Sequence, residues 1–153
     1  MEESPIGRKR LDHRIPHHAQ RTSTKDLFFL TICCSPRGRN QLAKKPVWTA
    51  ILETFEHRKS LNLMEAKLIL AMPDHLHALV LLTGNRPLDR VVTDLKSWLA
   101  KSCQIRWQRD FFDHRVRTWE SSNEKADYIR QNPYRANLIE SSEAWPFLYD
   151  QMQ

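Results

Sequence analysis

Two imidazoles stand two residues apart at the mouth of an apolar run, Met72-Pro73-Asp74-His75-Leu76-His77-Ala78-Leu79-Val80-Leu81-Leu82. On a strand, side chains i and i+2 point to one face, so His75 and His77 stand side by side. Protonated, they repel; neutral, they can hold one metal ion. Taken alone, this spacing favours the competing reading, a pair of structural histidines; a further helix shifts the balance.

A second group of chemically capable residues lies near the C-terminal end. Ser121-Ser122-Asn123-Glu124 has the form of a capping box and predicts a short helix through Tyr128 to about residue 131. Pro133 disfavours helical geometry at Asn132, so Tyr134-Arg135-Ala136-Asn137 is expected to form a last turn with Asn137 as a left-handed cap. Tyr128 and Asn132 share a face if that turn stays regular. The amide oxygen of Asn132 could then complete a His75, His77, Asn132 site, leaving positions for a phosphate oxygen and water. A metal held there would polarise a phosphodiester. Tyr128 would be the nucleophile, and its attack would leave a phosphotyrosine that keeps the bond energy for rejoining. A phenol, with a reference pKa of ~10, needs help to ionise. Metal-linked water, Lys125 and His114 could each give it. The plainer reading of Tyr128 is a ring packed on a sheet.

These residues need a frame. Residues 27–34, dense in β-branched, aromatic and small apolar side chains and followed by Ser35-Pro36-Arg37-Gly38, predict a buried strand. Pro46 suits the start of a helix with Val47, Ala50, Ile51 and Phe55 on its inner stripe. Residues 63–71 predict a second strand with Ala66, Leu68 and Leu70 on one face. Residues 75–82 predict a third, with the histidines, Leu79 and Leu81 on one face and Leu76, Ala78, Val80 and Leu82 on the other. After Asn85-Arg86-Pro87, the positions Leu88, Val91, Val92, Leu95, Trp98 and Leu99 mark an amphipathic helix. Residues 107–116 predict a fourth strand, bent or bulged. The order β-α-β-β-α-β is that of the ferredoxin-like split βαβ fold, an α+β antiparallel sheet with two helices on one face. The tyrosine helix is an addition to it, and the aromatic tail Trp145-Pro146-Phe147-Leu148-Tyr149 is expected to pack back on the body.

The 153 residues carry 24 Lys+Arg against 18 Asp+Glu, a net charge of +6. That excess favours a polyanionic partner. Between Lys96 and Arg117 six cations (Lys96, Lys101, Arg106, Arg109, Arg115, Arg117) face two anions, with Trp98, Trp107, Phe111 and Phe112 interleaved and Trp119 just beyond. Charges for phosphates beside rings for unstacked bases suit single-stranded nucleic acid, though most of these rings are expected to be core. The organisation expected is a basic arm over residues 1–26, with Arg8, Arg10 and Arg14 as candidate DNA contacts, and one domain over residues 27–153. No apolar stretch reaches the ~18 residues of a membrane span, and the first residues lack a signal-peptide pattern. Three cysteines, two of them adjacent, suit thiols in a reducing cytoplasm.

Three ordered motifs carry a family resemblance. Residues 72–80 resemble the His-hydrophobic-His (HUH) motif of single-tyrosine transposases acting on single-stranded DNA. Trp107-Gln108-Arg109 through Asp113-His114-Arg115-Val116-Arg117 resembles their Trp-Gln-Arg…Asp-His…Arg block. Asp127-Tyr128-Ile129-Arg130-Gln131-Asn132-Pro133-Tyr134-Arg135-Ala136-Asn137 resembles their tyrosine-helix signature, and the set is similar to the REP-associated tyrosine transposases. The resemblance implies a nuclease using Mg²⁺ or Mn²⁺ that cuts single-stranded DNA beside a short imperfect hairpin, leaving a 5′-phosphotyrosine and a 3′-OH. It implies His75 and His77 as metal ligands, Tyr128 as nucleophile and Asn132 as third ligand, with Gln131 the rival. His114 matches a motif position of open role, and Arg135 joins the candidate DNA contacts. Asp74 stands where the family more often has Asn, and Asn137 where Gly is usual. The resemblance implies a bacterial cytoplasmic protein, nucleoid-associated when bound to DNA, and leaves monomer or homodimer open. A non-catalytic nucleic-acid binder and a small metal-dependent hydrolase are the alternatives.

Overall fold

In the computed structural model, which describes residues 26–153, strand β1 spans Asp26–Cys33, helix α1 Lys45–Ser60, β2 Met64–Ala71, β3 His75–Leu82, α2 Leu88–Cys103, β4 Phe112–Val116, α3 Trp119–Arg135 and β5 Leu148–Asp150. The sheet order is β4-β1-β3-β2-β5, with every neighbouring pair antiparallel. The first four strands thus follow the expected ferredoxin-like order, and the aromatic tail adds β5 along the edge of β2. The residues assigned to the arm lie outside the described region apart from Asp26, which already belongs to β1. No helix of the described residues is long and apolar enough to cross a membrane, and Cys33, Cys34 and Cys103 are unpaired thiols.

Alternation along the strands splits the core into two layers. Phe28, Leu30, Ile32, Leu76, Ala78, Val80 and Leu82 meet Ile51 and Phe55 of α1 and Leu88, Val91, Val92, Leu95 and Leu99 of α2. On the other face Phe29, Leu68, Leu70, Leu79 and Val116 meet Ala126 and Ile129 of α3. Full burial of one such aliphatic side chain contributes about 1.5–3 kcal/mol, so α3 is held on its own sheet by a small but real apolar footing.

Four local expectations change. Ala66 does not share a face with Leu68 and Leu70. The pairing jumps from Ala66↔Val80 to Leu68↔Leu79, leaving Lys67 as the extra residue of a bulge, and a bulge turns the rest of its strand over. Trp98, at the edge of the α2 stripe, is 57% exposed. Residues 107–116 do not form one strand: Trp107 makes an isolated bridge with Cys34, and β4 begins only at Phe112. Helix α3 is longer at both ends than its capping-box reading. Its N-cap is Thr118, whose hydroxyl accepts from the Ser121 amide, and it runs through Pro133. The Pro133 ring lies on the buried stripe with Ser122, Ala126 and Ile129. The turn after it closes as a Schellman motif: Leu138 N–H donates to Pro133 O and Asn137 N–H to Tyr134 O, with Asn137 at φ 59°. The left-handed role expected of Asn137 holds.

Candidate active site

The α3-facing side of the sheet is where polar groups interrupt the apolar layer. Phe29 and Thr31 of β1 alternate onto that face, and Thr31 pairs directly with His77 across to β3. The two histidine rings meet edge-on at 4.8 Å between centroids.

Each ring has its Nδ1 engaged. His75 Nδ1 lies 2.9 Å from Asp74 Oδ1, and a carboxylate, which only accepts, fixes a neutral ring's proton on Nδ1. Asp74 is itself held from behind: Arg37 Nε donates to Oδ2 at 2.9 Å and Gly38 N–H at 2.8 Å. Burial works to raise the Asp74 pKa, but the bonds from His75, Arg37 and Gly38 outweigh it and hold the carboxyl well below its usual range. The acidic departure at position 74 is therefore bound up in orienting His75.

His77 is fully buried. Its Nδ1 lies 2.9 Å from Thr31 Oγ1, and its ring stacks on Phe29 at 5.5 Å with 22° between planes. Burial first, then the neighbouring His75, pushes its pKa well below the ordinary value. A neutral imidazole with one nitrogen engaged is the state in which histidine ligates metal, and such outer partners orient metal-bound rings.

Helix α3 brings the phenol to this pair. The Tyr128 ring meets His77 edge-on at 6.0 Å and Phe29 at 6.1 Å, and the side chain is 38% exposed. The Arg135 guanidinium lies 4.4 Å from the centroid of the Tyr128 ring, and its Nη2 donates to the Tyr128 carbonyl at 3.0 Å. Asn132, one turn beyond Tyr128 on the same flank, is half-buried, whereas Gln131 is exposed on the outward side. Lys125, one turn before Tyr128, has its ammonium 5.6 Å over the Phe29 ring. His114 is exposed on β4 opposite Phe29 and alternates onto this same face.

The remaining candidates scatter. Lys101, Arg106, Arg109 and Arg117 are exposed. Lys96 is a brace and no surface cation: its ammonium donates to the carbonyls of Gln108 and Arg109, and burial lowers its pKa. Arg115 gives a nitrogen to Asp26 at 2.8 Å. Arg8, Arg10 and Arg14 lie outside the described residues. Of the interleaved rings, Trp107, Phe111 and Phe112 are partly buried against the core, whereas Trp119 is 71% exposed. Sequence reasoning passed over Thr31, Phe29 and Arg37 as site residues. A lone hydroxyl in an apolar strand was the available signal for Thr31. Nothing local marked Arg37. It also passed over the fork from Arg130 to Asp150, at 2.7 and 3.2 Å, which ties α3 to β5.

Against known proteins, no family model matches the chain. It is 26% identical over 140 residues to a Haemophilus influenzae protein named "Putative REP-associated tyrosine transposase", covering 79% of this chain and 77% of that one. Among solved structures, it superposes on a REP-associated tyrosine transposase bound to a REP hairpin, with a TM-score of 0.73 at 20% identity, over 97% of this chain and 82% of the other. A transposase structure from Deinococcus radiodurans, itself named as putative, gives a TM-score of 0.51 at 16% identity over 72% and 94%. The resemblance carried by the three motifs is thus met by a relative in sequence and a neighbour in fold, both of which carry that family's name.

Proposed function

We propose that this chain is a metal-dependent single-stranded DNA endonuclease and strand transferase that cuts beside REP-like hairpins through Tyr128. What carries the reading is the approach of the Tyr128 ring to within 6.0 Å of His77 on the same sheet face as His75. Support comes also from the name of the relative and from the hairpin bound to the structural neighbour.

The donor set fits a divalent ion such as Mg²⁺ or Mn²⁺: two rings with Nδ1 engaged, His77 held neutral, and an amide at Asn132 on the facing flank. His75, His77 and Asn132 would hold it, with Asn132 preferred over the outward Gln131. When bound, the ion supplies Lewis-acid stabilisation of charge on the phosphate. The remaining work falls to the chain. The phenol oxygen of Tyr128 forms a bond to phosphorus as the bond from phosphorus to the 3′ oxygen breaks. The phenol proton passes to solvent, and the departing 3′ oxygen takes one from solvent. The products are a 5′-phosphotyrosine and a 3′-OH, and the reverse attack rejoins a strand. Exposed Arg106, Arg109 and Arg117 offer charge for the DNA backbone.

The test is an SDS-resistant adduct with labelled single-stranded hairpin DNA and Mn²⁺. Wild type forms it; Tyr128→Phe and His77→Ala do not, while both still bind DNA. Binding without an adduct from wild type would mean a non-catalytic binder. Cleavage that survives Tyr128→Phe would mean water is the nucleophile and the protein a hydrolase.

A further inference from the structure

Phe29 sits at the hub of the site: His77 stacks on it, Tyr128 meets it edge-on, and the Lys125 ammonium lies over its face at 5.6 Å. Lys125 is half-buried, and among the described residues no carboxylate pairs with it. It stands one helical turn before Tyr128, on the flank that also carries Asn132. The other cations near the site are occupied: Arg37 by Asp74, Arg135 by the Tyr128 ring and carbonyl. The one carboxylate beside the histidines, Asp74, is bound by His75, Arg37 and Gly38.

We infer that Lys125 is a further catalytic residue whose ammonium contacts a non-bridging oxygen of the phosphate attacked by Tyr128. The inference rests on the function proposed above. A long side chain laid on an aromatic face is steered without its donors being used. Its three N–H groups stay available to an anion placed between helix and sheet. When the phenol oxygen attacks, negative charge grows on the non-bridging oxygens of that phosphate. A positive charge fixed beside them stabilises this state more than the ground state, because it needs no rearrangement as the charge builds. The cation is on the same helix as the nucleophile, so the two keep their spacing.

Two measurements test it. The first is the single-turnover rate of adduct formation at saturating hairpin DNA with Mn²⁺. Lys125→Met lowers it about 100-fold, and Lys125→Arg, which keeps the charge, recovers most of it. The second uses metal-free protein carrying Tyr128→Phe, and the linkage mapped as the cut site. A neutral methylphosphonate at that linkage weakens binding roughly tenfold when Lys125 is present, the worth of one hydrogen bond to a charged group. With Lys125→Met that penalty shrinks to less than about threefold. A Lys125→Met adduct rate within about threefold of wild type, or an equal penalty in both proteins, overturns the inference and leaves the nuclease reading standing. No adduct from wild type overturns both.

Discussion

The two faces of the sheet are built from the same strands to different ends. Toward α1 and α2 the layer is continuous and apolar, from Phe28 and Ile32 through Val80 to Leu95 and Leu99. Toward α3 it is small and broken by Thr31, His77 and the flank of Tyr128. Strand β3 serves both, presenting Leu76, Ala78, Val80 and Leu82 to one side and the histidines to the other. The larger face contributes stability without chemistry; the smaller one gives up apolar burial for groups that must be wetted, charged or approached by substrate. A site carried on the middle strands keeps its geometry because the opposite layer holds those strands still.

That contrast can be broken or sharpened in order of expected effect. Tyr128→Phe removes one exposed hydroxyl and abolishes the covalent adduct, with a melting temperature within about 2 °C of wild type. A large drop in melting temperature would show that the phenol is a structural group. On the other face Leu95→Ala destabilises by about 2–5 kcal/mol in urea, while the folded fraction still forms adduct. A variant equally stable but inactive would reverse the assignment of the two layers. Thr31→Val keeps the shape and removes the partner of the buried His77 Nδ1; it lowers Mn²⁺ affinity about 10–100-fold by calorimetry and costs about 1–3 kcal/mol of stability.

Smaller effects come from the clamp between α3 and β5. Arg130→Ala costs about 1–3 kcal/mol at neutral pH, since it strands the largely buried Asp150 carboxylate. Burial tends to raise that carboxyl's pKa, but the bonds from Arg130 and the Met152 N–H win and hold it below its ordinary value. A carboxyl depressed in the folded state stabilises above its unfolded pKa, and the gain is lost as pH falls through the folded value. Wild type and Arg130→Ala should therefore differ at pH 7 and converge in acid. A constant gap across that range would mean the pair acts by packing. Last, Arg109→Ala and Arg117→Ala each weaken DNA binding a few-fold and flatten its dependence on salt.

What could be read from residue order was what periodicity and motif order encode. The strand alternation of β3 put both histidines on one side, and the stripe of α2 named four of its buried residues after Leu88. Spacing along α3 placed Asn132 with Tyr128 once the helix proved regular through Pro133. What escaped was set by tertiary partners. Lys96 looked like a surface cation until the loop after α2 brought two carbonyls to its ammonium. Arg37 gained its role only because the turn after β1 folds against Asp74, far away in sequence. The capping box lost to Thr118, three residues ahead of Ser121, because a hydroxyl there caps the helix without a glutamate reaching back. Ala66 was assigned to the wrong layer because alternation assumes an unbroken ladder.

The slipped pairing at Lys67 constrains how this chain can drift in length. Removing that one residue would leave Met64, Ala66, Ile69 and Ala71 looking one way and Leu68 and Leu70 the other, as they do now. Dropping Leu68 instead would put Lys67 in its place in the apolar layer under α3, and dropping Ile69 would carry Leu68 across to the other compartment. Gaps among distant relatives should thus gather at this single spot of the strand, and a protein lacking Lys67 should still fold where one lacking Leu68 does not.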